Sequence, residues 1–278
     1  MQTVQTTNKT VGLCLSGGGA IGFAHIGVLQ ALLEHGIQPQ VIAGTSMGAI
    51  VGTMFAAGLN PPQMMELVKQ DKLYKVSKLM TFKPSFWKSG FSSHSTVINL
   101  IRELIPHDCF EQLPRKMFVC VSNMNTMKWE IKEQGGHLAE WVSASASIPG
   151  VFEASVVDGA FYLDGGILNN LPAQPLKPIC DAIIGVDVLP FIPPTKMKHP
   201  IDAITCSVRG IQHENSLAGR SLCDYLIEPA SVKRYNEFRF DAYEQIYKTG
   251  YKETIDYIKR HPDILTLKAD AGCSPEGL

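Results

Sequence analysis

Short unbroken apolar runs recur along this chain, and a turn signal and then a helical stretch follow most of them. Val11–Leu15 is the first run, and the helical pattern of Ala20–Glu34 follows it, closed by Gly36. Continuous apolar runs of four to eight residues read as strands buried on both faces. The same grammar predicts strands at Gln40–Ala43, Lys116–Ser122, Lys128–Glu133, Asp181–Val188 and Tyr225–Glu228. Helices are predicted at Met47–Ala57, Pro62–Lys72, Ser95–Ile105, Ile201–Ser216 and Ala242–Lys259, with a short one at Ser143–Ser147 ended near Pro149-Gly150. Asp158-Gly159 between Val156-Val157 and Ala160–Leu163 signals a hairpin.

One stretch permits a second reading. Gln38 to Gln63 carries no charge, and Gly44, Gly48 and Gly52 form overlapping GxxxG patterns. Length and motif fit a membrane-spanning helix. Thr45-Ser46 at its centre, Pro39 at one flank and Pro61-Pro62 at the other favour a buried strand, a turn and a buried helix.

Alternating strands and helices predict an α/β fold with helices on both faces of a central sheet. Without a repeat or a low-complexity linker, residues 1–278 read as one domain, with 1–10 and about 267–278 as flexible tails. Composition is that of a globular protein, at 45% hydrophobic and 18% charged residues. A net charge of −1 gives no electrostatic reason to expect nucleic acid as a partner. Cys14, Cys109, Cys120, Cys180, Cys206, Cys223 and Cys273 lack CxxC or paired spacing, and most lie in apolar runs. They read as small core residues of a reduced, cytoplasmic compartment, and no metal cluster emerges. Met1–Thr10 lacks the apolar stretch of a secretory signal.

Two glycine-framed turns carry the candidate chemistry. Gly44-Thr45-Ser46-Met47-Gly48 reads as a strand-to-helix elbow that lifts Ser46 out of the backbone, Gly44 and Gly48 relieving the crowding around it. Gly17-Gly18-Gly19-Ala20 offers backbone N–H groups unobstructed by side chains, suited to a developing oxyanion. A serine hydroxyl needs a proton acceptor within hydrogen-bond reach. Of the histidines, His25 lies in an apolar helical run and reads as a packed structural residue, while His199, His213 and His261 lack turn residues to present them to a cleft. Asp164 ends a strand before Gly165-Gly166, where ligand sites gather in α/β sheets, although Asp-Gly is also ordinary turn chemistry.

Taken together, these motifs resemble the patatin-like phospholipases, serine acyl hydrolases that use a Ser-Asp dyad. The resemblance rests on Gly17-Gly18-Gly19-Ala20 with Gly22 and Ala24–Leu29, and on the Gly44–Gly48 elbow. It continues through Ser143-Ala144-Ser145, Ser147–Phe152, and Asp164-Gly165-Gly166 with Asn169–Pro172. It runs from about residue 11 to 190. It implies a three-layer α/β/α sandwich around a mostly parallel sheet, Ser46 as nucleophile, Asp164 as base, the amides of Gly17 to Ala20 as oxyanion hole, and no metal or cofactor. Lipid or other acyl-ester substrates follow. Where the family commonly has arginine in the glycine-rich segment, this chain has Ile21.

Between Lys69 and Phe91 six lysines accompany one acid and interleave with aromatic residues, which fits either a lid touching a membrane surface or an ordinary loop. An acyltransferase or thioesterase would use the same serine ester. Gly17-x-Gly19-x-x-Gly22 also satisfies the dinucleotide fingerprint of an oxidoreductase, but no acid lies between His35 and Met65 to hold a ribose. A non-catalytic lipid-binding protein on the same scaffold is the remaining alternative.

Overall fold

The computed structural model describes residues 9–70, 93–149, 152–189, 193, 197, 200–237 and 240–269. Among these residues, eight strands form one sheet: β1 (Val11–Leu15), β2 (Val41–Thr45), β3 (Lys116–Asn123), β4 (Lys128–Lys132), β5 (Ser155–Val157), β6 (Ala160–Asp164), β7 (Ala182–Val186) and β8 (Tyr225–Ile227). The order is β5-β6-β3-β2-β1-β7-β8, with β4 on β3. The pairs β1–β2, β2–β3, β1–β7 and β7–β8 are parallel, while β4, β5 and β6 pair antiparallel.

Period-two alternation sends the strand side chains into two cores. Leu13, Leu15, Ile42 and Val119 enter one, and Cys14, Ala43, Phe118 and Ile183 the other. Helices α1 (Ala24–Glu34), α2 (Met47–Ala56), α3 (Pro61–Lys69), α4 (Ser93–Leu104) and α5 (Leu138–Ser145) build the first core with α7 (Tyr243–Arg260). Leu171, Ala173 and Leu176 close the second. Beside them lies α6 (Pro200–Arg220), whose Gly219 abuts the Leu171 carbonyl.

The uncharged stretch from Gln38 divides into β2 and α2, and no described helix is long and apolar enough to cross a membrane. Three of the departures from the sequence expectation have a clear physical reason. The first helix splits into a 3-10 turn, Gly19–Phe23, and α1, because Gly19 takes φ +52° and an outside carbonyl captures the Ala20 amide. The short helix at Ser143–Ser147 is the end of the longer α5, whose Leu138, Ala139, Trp141 and Val142 are buried. Residues 267–269 are tied down rather than frayed: Leu267 is buried and the Ala269 amide donates to Gly36 O. The basic-aromatic stretch lies outside the described residues from position 71 on.

Candidate active site

β3 is long enough to serve two strands along one edge, and that register creates the site. Its Cys120 pairs with Thr45, the last residue of β2, and its next residue, Val121, pairs with Asp164, the last residue of β6. β2 and β6 run toward each other along the same edge, so their C-terminal ends abut and bring Ser46 beside Asp164.

Ser46 has φ 55° and ψ −125°, a conformation sparsely populated by non-glycine residues and found where a site stores strain. The elbow closes so tightly that a β-carbon on Gly48 would lie 2.4 Å from Leu15 O, and one on Gly44 2.5 Å from Gly48 O. Ser145 ties this turn to the sheet, because Ser46 N–H donates to Ser145 Oγ (2.9 Å), which donates to Cys120 O (2.6 Å). Thr45 Oγ1 donates to Asn169 O at 3.1 Å.

Asp164 is held from three sides. Its amide donates to Ser147 O (2.9 Å), its carbonyl accepts from Ser122 Oγ (2.9 Å), and its Oδ1 accepts from Gly166 N–H (2.7 Å). At 3% exposed, its carboxyl is pushed up to about 6 by burial, against the opposing pull of the Ser46 hydroxyl and the Gly166 amide. A carboxylate with that value is a stronger base than a solvated one, yet still ionised at neutral pH.

The glycine-rich segment runs directly alongside, since a β-carbon on Gly17 would sit 3.2 Å from Ser46 Cβ. Its amides are not equivalent. Gly17 N–H donates to Asn170 O (3.3 Å) and Ala20 N–H to Glu237 O (2.8 Å). Gly18 and Gly19 N–H meet no acceptor among the described residues. Of the four amides expected as a cradle, Gly17 to Ala20, the outer pair thus anchors the loop at its ends and the inner pair stays open among the described residues.

Two residues that sequence reasoning assigned no chemistry hold this loop from below. Ser16 Oγ donates to Gly17 O (3.0 Å) and accepts from Val188 N–H (3.0 Å). His25 Nε2 lies 2.9 Å from Ser16 O, and a carbonyl only accepts, so the Nε2–H tautomer is present. Burial lowers this imidazole to about 4, leaving it neutral, as its reading as a structural residue requires.

Ser46, Asp164, Gly18 and Gly19 share one cleft. Its walls are apolar at Ile148, Pro149, Ile167, Leu189 and Val208, and polar at Gln212 and Glu237. Ile21, where the resemblance implies an arginine, is 3% exposed and packs in the core. Cys120 lies behind the elbow with its thiol pushed up to about 12 by burial, so it stays protonated. Among the described residues, no group of three or more His, Cys, Asp or Glu side chains could hold a metal.

A strained serine and a buried carboxylate meet at the C-terminal edge of a mostly parallel sheet, in an apolar-walled cleft. Such a layout defines an α/β protein with a candidate active site. Residues 13–177 match the patatin-like phospholipase family, and the chain belongs to that family. An uncharacterized NTE family protein of Mycobacterium tuberculosis is 35% identical over 185 residues, covering 66% of this chain and 50% of that protein. The lysophospholipase nte1 of Emericella nidulans is 25% identical over 289 residues, covering 91% of this chain and 18% of its own length. The chain thus spans half of the first relative and under a fifth of the second. The crystal structure of VipD from Legionella pneumophila shares the fold, with a TM-score of 0.50, 15% identity, and 92% and 67% of the two chains covered. The dinucleotide-binding alternative falls with this assignment.

Proposed function

We propose that this chain hydrolyses lipid acyl esters through an acyl-enzyme on Ser46, with Asp164 as its base and the amides of Gly18 and Gly19 as its oxyanion hole. The head-on meeting of β2 and β6 at Ser46 and Asp164 carries the reading. Asp164 takes the Ser46 proton as Oγ attacks the ester carbonyl. The resulting oxyanion is stabilised by the two amides, in a water-poor cleft where such donors act strongly. Asp164 then returns the proton to the leaving alcohol, and water repeats the sequence on the acyl-enzyme. The apolar walls suit an acyl chain, and the buried Ile21 leaves the glycine loop without a cation for a phosphate group. That favours recognition of the acyl part over the head group. Family membership supports a lipid substrate, as does the name of the fungal relative.

Fluorophosphonate labelling tests the dyad. The wild type should gain one adduct, mapped to Ser46. Ser46→Ala should gain none, and Asp164→Asn should label at least about 10²-fold more slowly, the usual contribution of a positioned base. An adduct elsewhere, or undiminished labelling of Asp164→Asn, refutes the assignment. A panel of lysophospholipid, diacyl phospholipid and acylglycerol in vesicles then ranks the substrates.

A further inference from the structure

A buried ion pair that the reaction does not touch stands behind the glycine loop. Asp187, the residue after β7, is 1% exposed. Its Oδ2 accepts from Arg220 Nη1 (2.5 Å) and its Oδ1 from Leu189 N–H (3.0 Å), while its own N–H donates to Ile227 O (3.0 Å). Arg220 closes α6, and its Nη2 donates to Glu228 Oε1 (2.6 Å). One planar guanidinium thus spans two carboxylates, one buried and one at the surface, a geometry that an ammonium group does not reproduce. A carboxylate this deep is tolerated only with its partner in place, because an unpaired buried charge is strongly destabilising.

The pair holds the wall against which the loop rests. Its bond to the Leu189 amide closes an Asx turn over Val188. In that turn Val188 N–H donates to Ser16 Oγ (3.0 Å), which donates to Gly17 O (3.0 Å). A β-carbon on Gly18 would lie 2.5 Å from Val188 Cγ2 and 3.8 Å from Leu189 Cγ. These two side chains therefore back Gly18, whose N–H is open among the described residues. Leu189 is also a wall of the cleft, and so are Val208 and Gln212, which stand on the helix that Arg220 ends. Asn215 pins the same helix to the Asp164 turn, its Nδ2 donating to Gly166 O (2.9 Å) and Ile167 O (3.0 Å).

We propose that Asp187 and Arg220 are positioning residues for the oxyanion loop. The proposal rests on the reading of Ser46 as nucleophile and of the Gly18 amide as an oxyanion donor. Arg220 holds the Asp187 carboxylate inward, Asp187 sets the Val188-Leu189 turn, and that turn fixes the rotation of the Gly18 peptide toward the reacting oxygen. Neither side chain touches substrate. Without Arg220, the Asp187 carboxylate takes up a proton or turns toward solvent, and either change slackens its bond to the Leu189 amide. The Gly18 amide then loses its aim, and a displacement on the order of 1 Å at such a group costs about 10²-fold in rate. Oxyanion donors act on the transition state rather than on the bound ester, so the loss falls on kcat and leaves KM in place.

Steady-state kinetics of the full chain on p-nitrophenyl butyrate test this, with phosphonate labelling of Ser46 and thermal unfolding alongside. Arg220→Gln should unfold cooperatively at a lower temperature, with kcat reduced about 10²-fold and KM within about twofold of wild type. Arg220→Lys restores a cation opposite Asp187 but not the second bond to Glu228, and should recover about tenfold of that loss. Glu228→Gln keeps an acceptor for Arg220 at the surface and should stay within about twofold of wild type in both constants. A purely structural pair would lower the unfolding temperature alone, so wild-type kcat in folded Arg220→Gln overturns the proposal, as does a rise in KM alone. Should Arg220→Gln fail to fold, Asp187→Asn decides, being of the same size and without a buried charge: kcat lowered at unchanged KM supports the positioning role, and wild-type kcat overturns it. A wild type that neither turns over the ester nor labels at Ser46 overturns the acyl-enzyme reading and this proposal with it. A labelled wild type with unaffected variants overturns the proposal alone.

Discussion

The Asp164 carboxyl couples chemistry to stability. Burial raises it to about 6 from the ordinary 3.8, so between those values the folded protein binds more protons than the unfolded chain. Stability therefore falls as pH rises through this window, while the ionised fraction, which the proposed role as base requires, grows. Asp164→Asn keeps an oxygen for the Gly166 amide and removes the buried charge. At pH 8 the variant should be more stable than wild type by about 3 kcal/mol, since a tenfold change in proton affinity is worth about 1.4 kcal/mol. At pH 4 the difference should largely vanish, because Asp164 is then protonated in the folded state. Thermal unfolding at the two pH values measures this, and equal stabilities at pH 8 would show that the carboxylate is well solvated. Activity should rise with pH through about 6, the value of the folded carboxyl.

At the scale of elements, the elbow depends on close approach and on one strut. Gly48→Ala would place a methyl group 2.4 Å from Leu15 O and 2.5 Å from Ser16 O, both main-chain atoms unable to swing aside. Such overpacking typically costs about 1–3 kcal/mol, and chemical denaturation should show at least that loss. Ser145→Ala leaves Ser46 N–H without its acceptor and Cys120 O without that donor. It should lose about 2 kcal/mol and slow phosphonate labelling about tenfold, because the strained turn loses its tie to β3. Unchanged labelling would mean that the glycines alone hold the elbow. These features differ in how legible they are in the sequence. Gly44, Gly48 and Ser46 can be read directly, since strand, turn and helix must crowd within five residues, and Asp164 stands out through Gly165-Gly166. The joining of Ser46 to Asp164 is hidden, because it depends on a one-residue step in the register of β3. Which glycine amides stay open is hidden too. Every residue offers a carbonyl, and nothing local marks Asn170 or Glu237 as the ones that take Gly17 and Ala20. Gln212 is one amide among many until α6 is placed.

At the scale of the whole molecule, the family match ends at residue 177, yet the site does not. β7 pairs with β1 along its full length, Val11↔Ala182 to Leu15↔Val186, and so backs the strand that delivers the glycine loop. Val188 N–H holds Ser16 Oγ, and a β-carbon on Gly18 would lie 2.5 Å from Val188 Cγ2. Glu237 O takes the Ala20 amide, while the Glu237 carboxylate pairs with Arg209 of α6 at 3.4 Å, joining two late segments over the early loop. α7 then locks against α1 in backbone contact: a β-carbon on Gly27 would be 2.1 Å from Tyr247 O, and one on Gly250 2.3 Å from Ala24 O. The late segments thus shape the glycine loop that the start of the chain encodes. A chain ending at Leu189 keeps Ser46, Asp164 and the glycine run but loses Glu237 O, α6 and α7. Its α1 would expose the buried face that α7 covers, an apolar surface that drives association. It should show no cooperative unfolding and no phosphonate adduct on Ser46. Gly19→Ala in the full chain separates cradle from scaffold: its methyl would meet Glu237 O at 2.5 Å, at φ +52°. That variant should still unfold cooperatively but label Ser46 about 10²-fold more slowly, the usual effect of losing one oxyanion donor. Wild-type labelling in Gly19→Ala would mean that the Glu237 latch has no hold on the reacting oxygen.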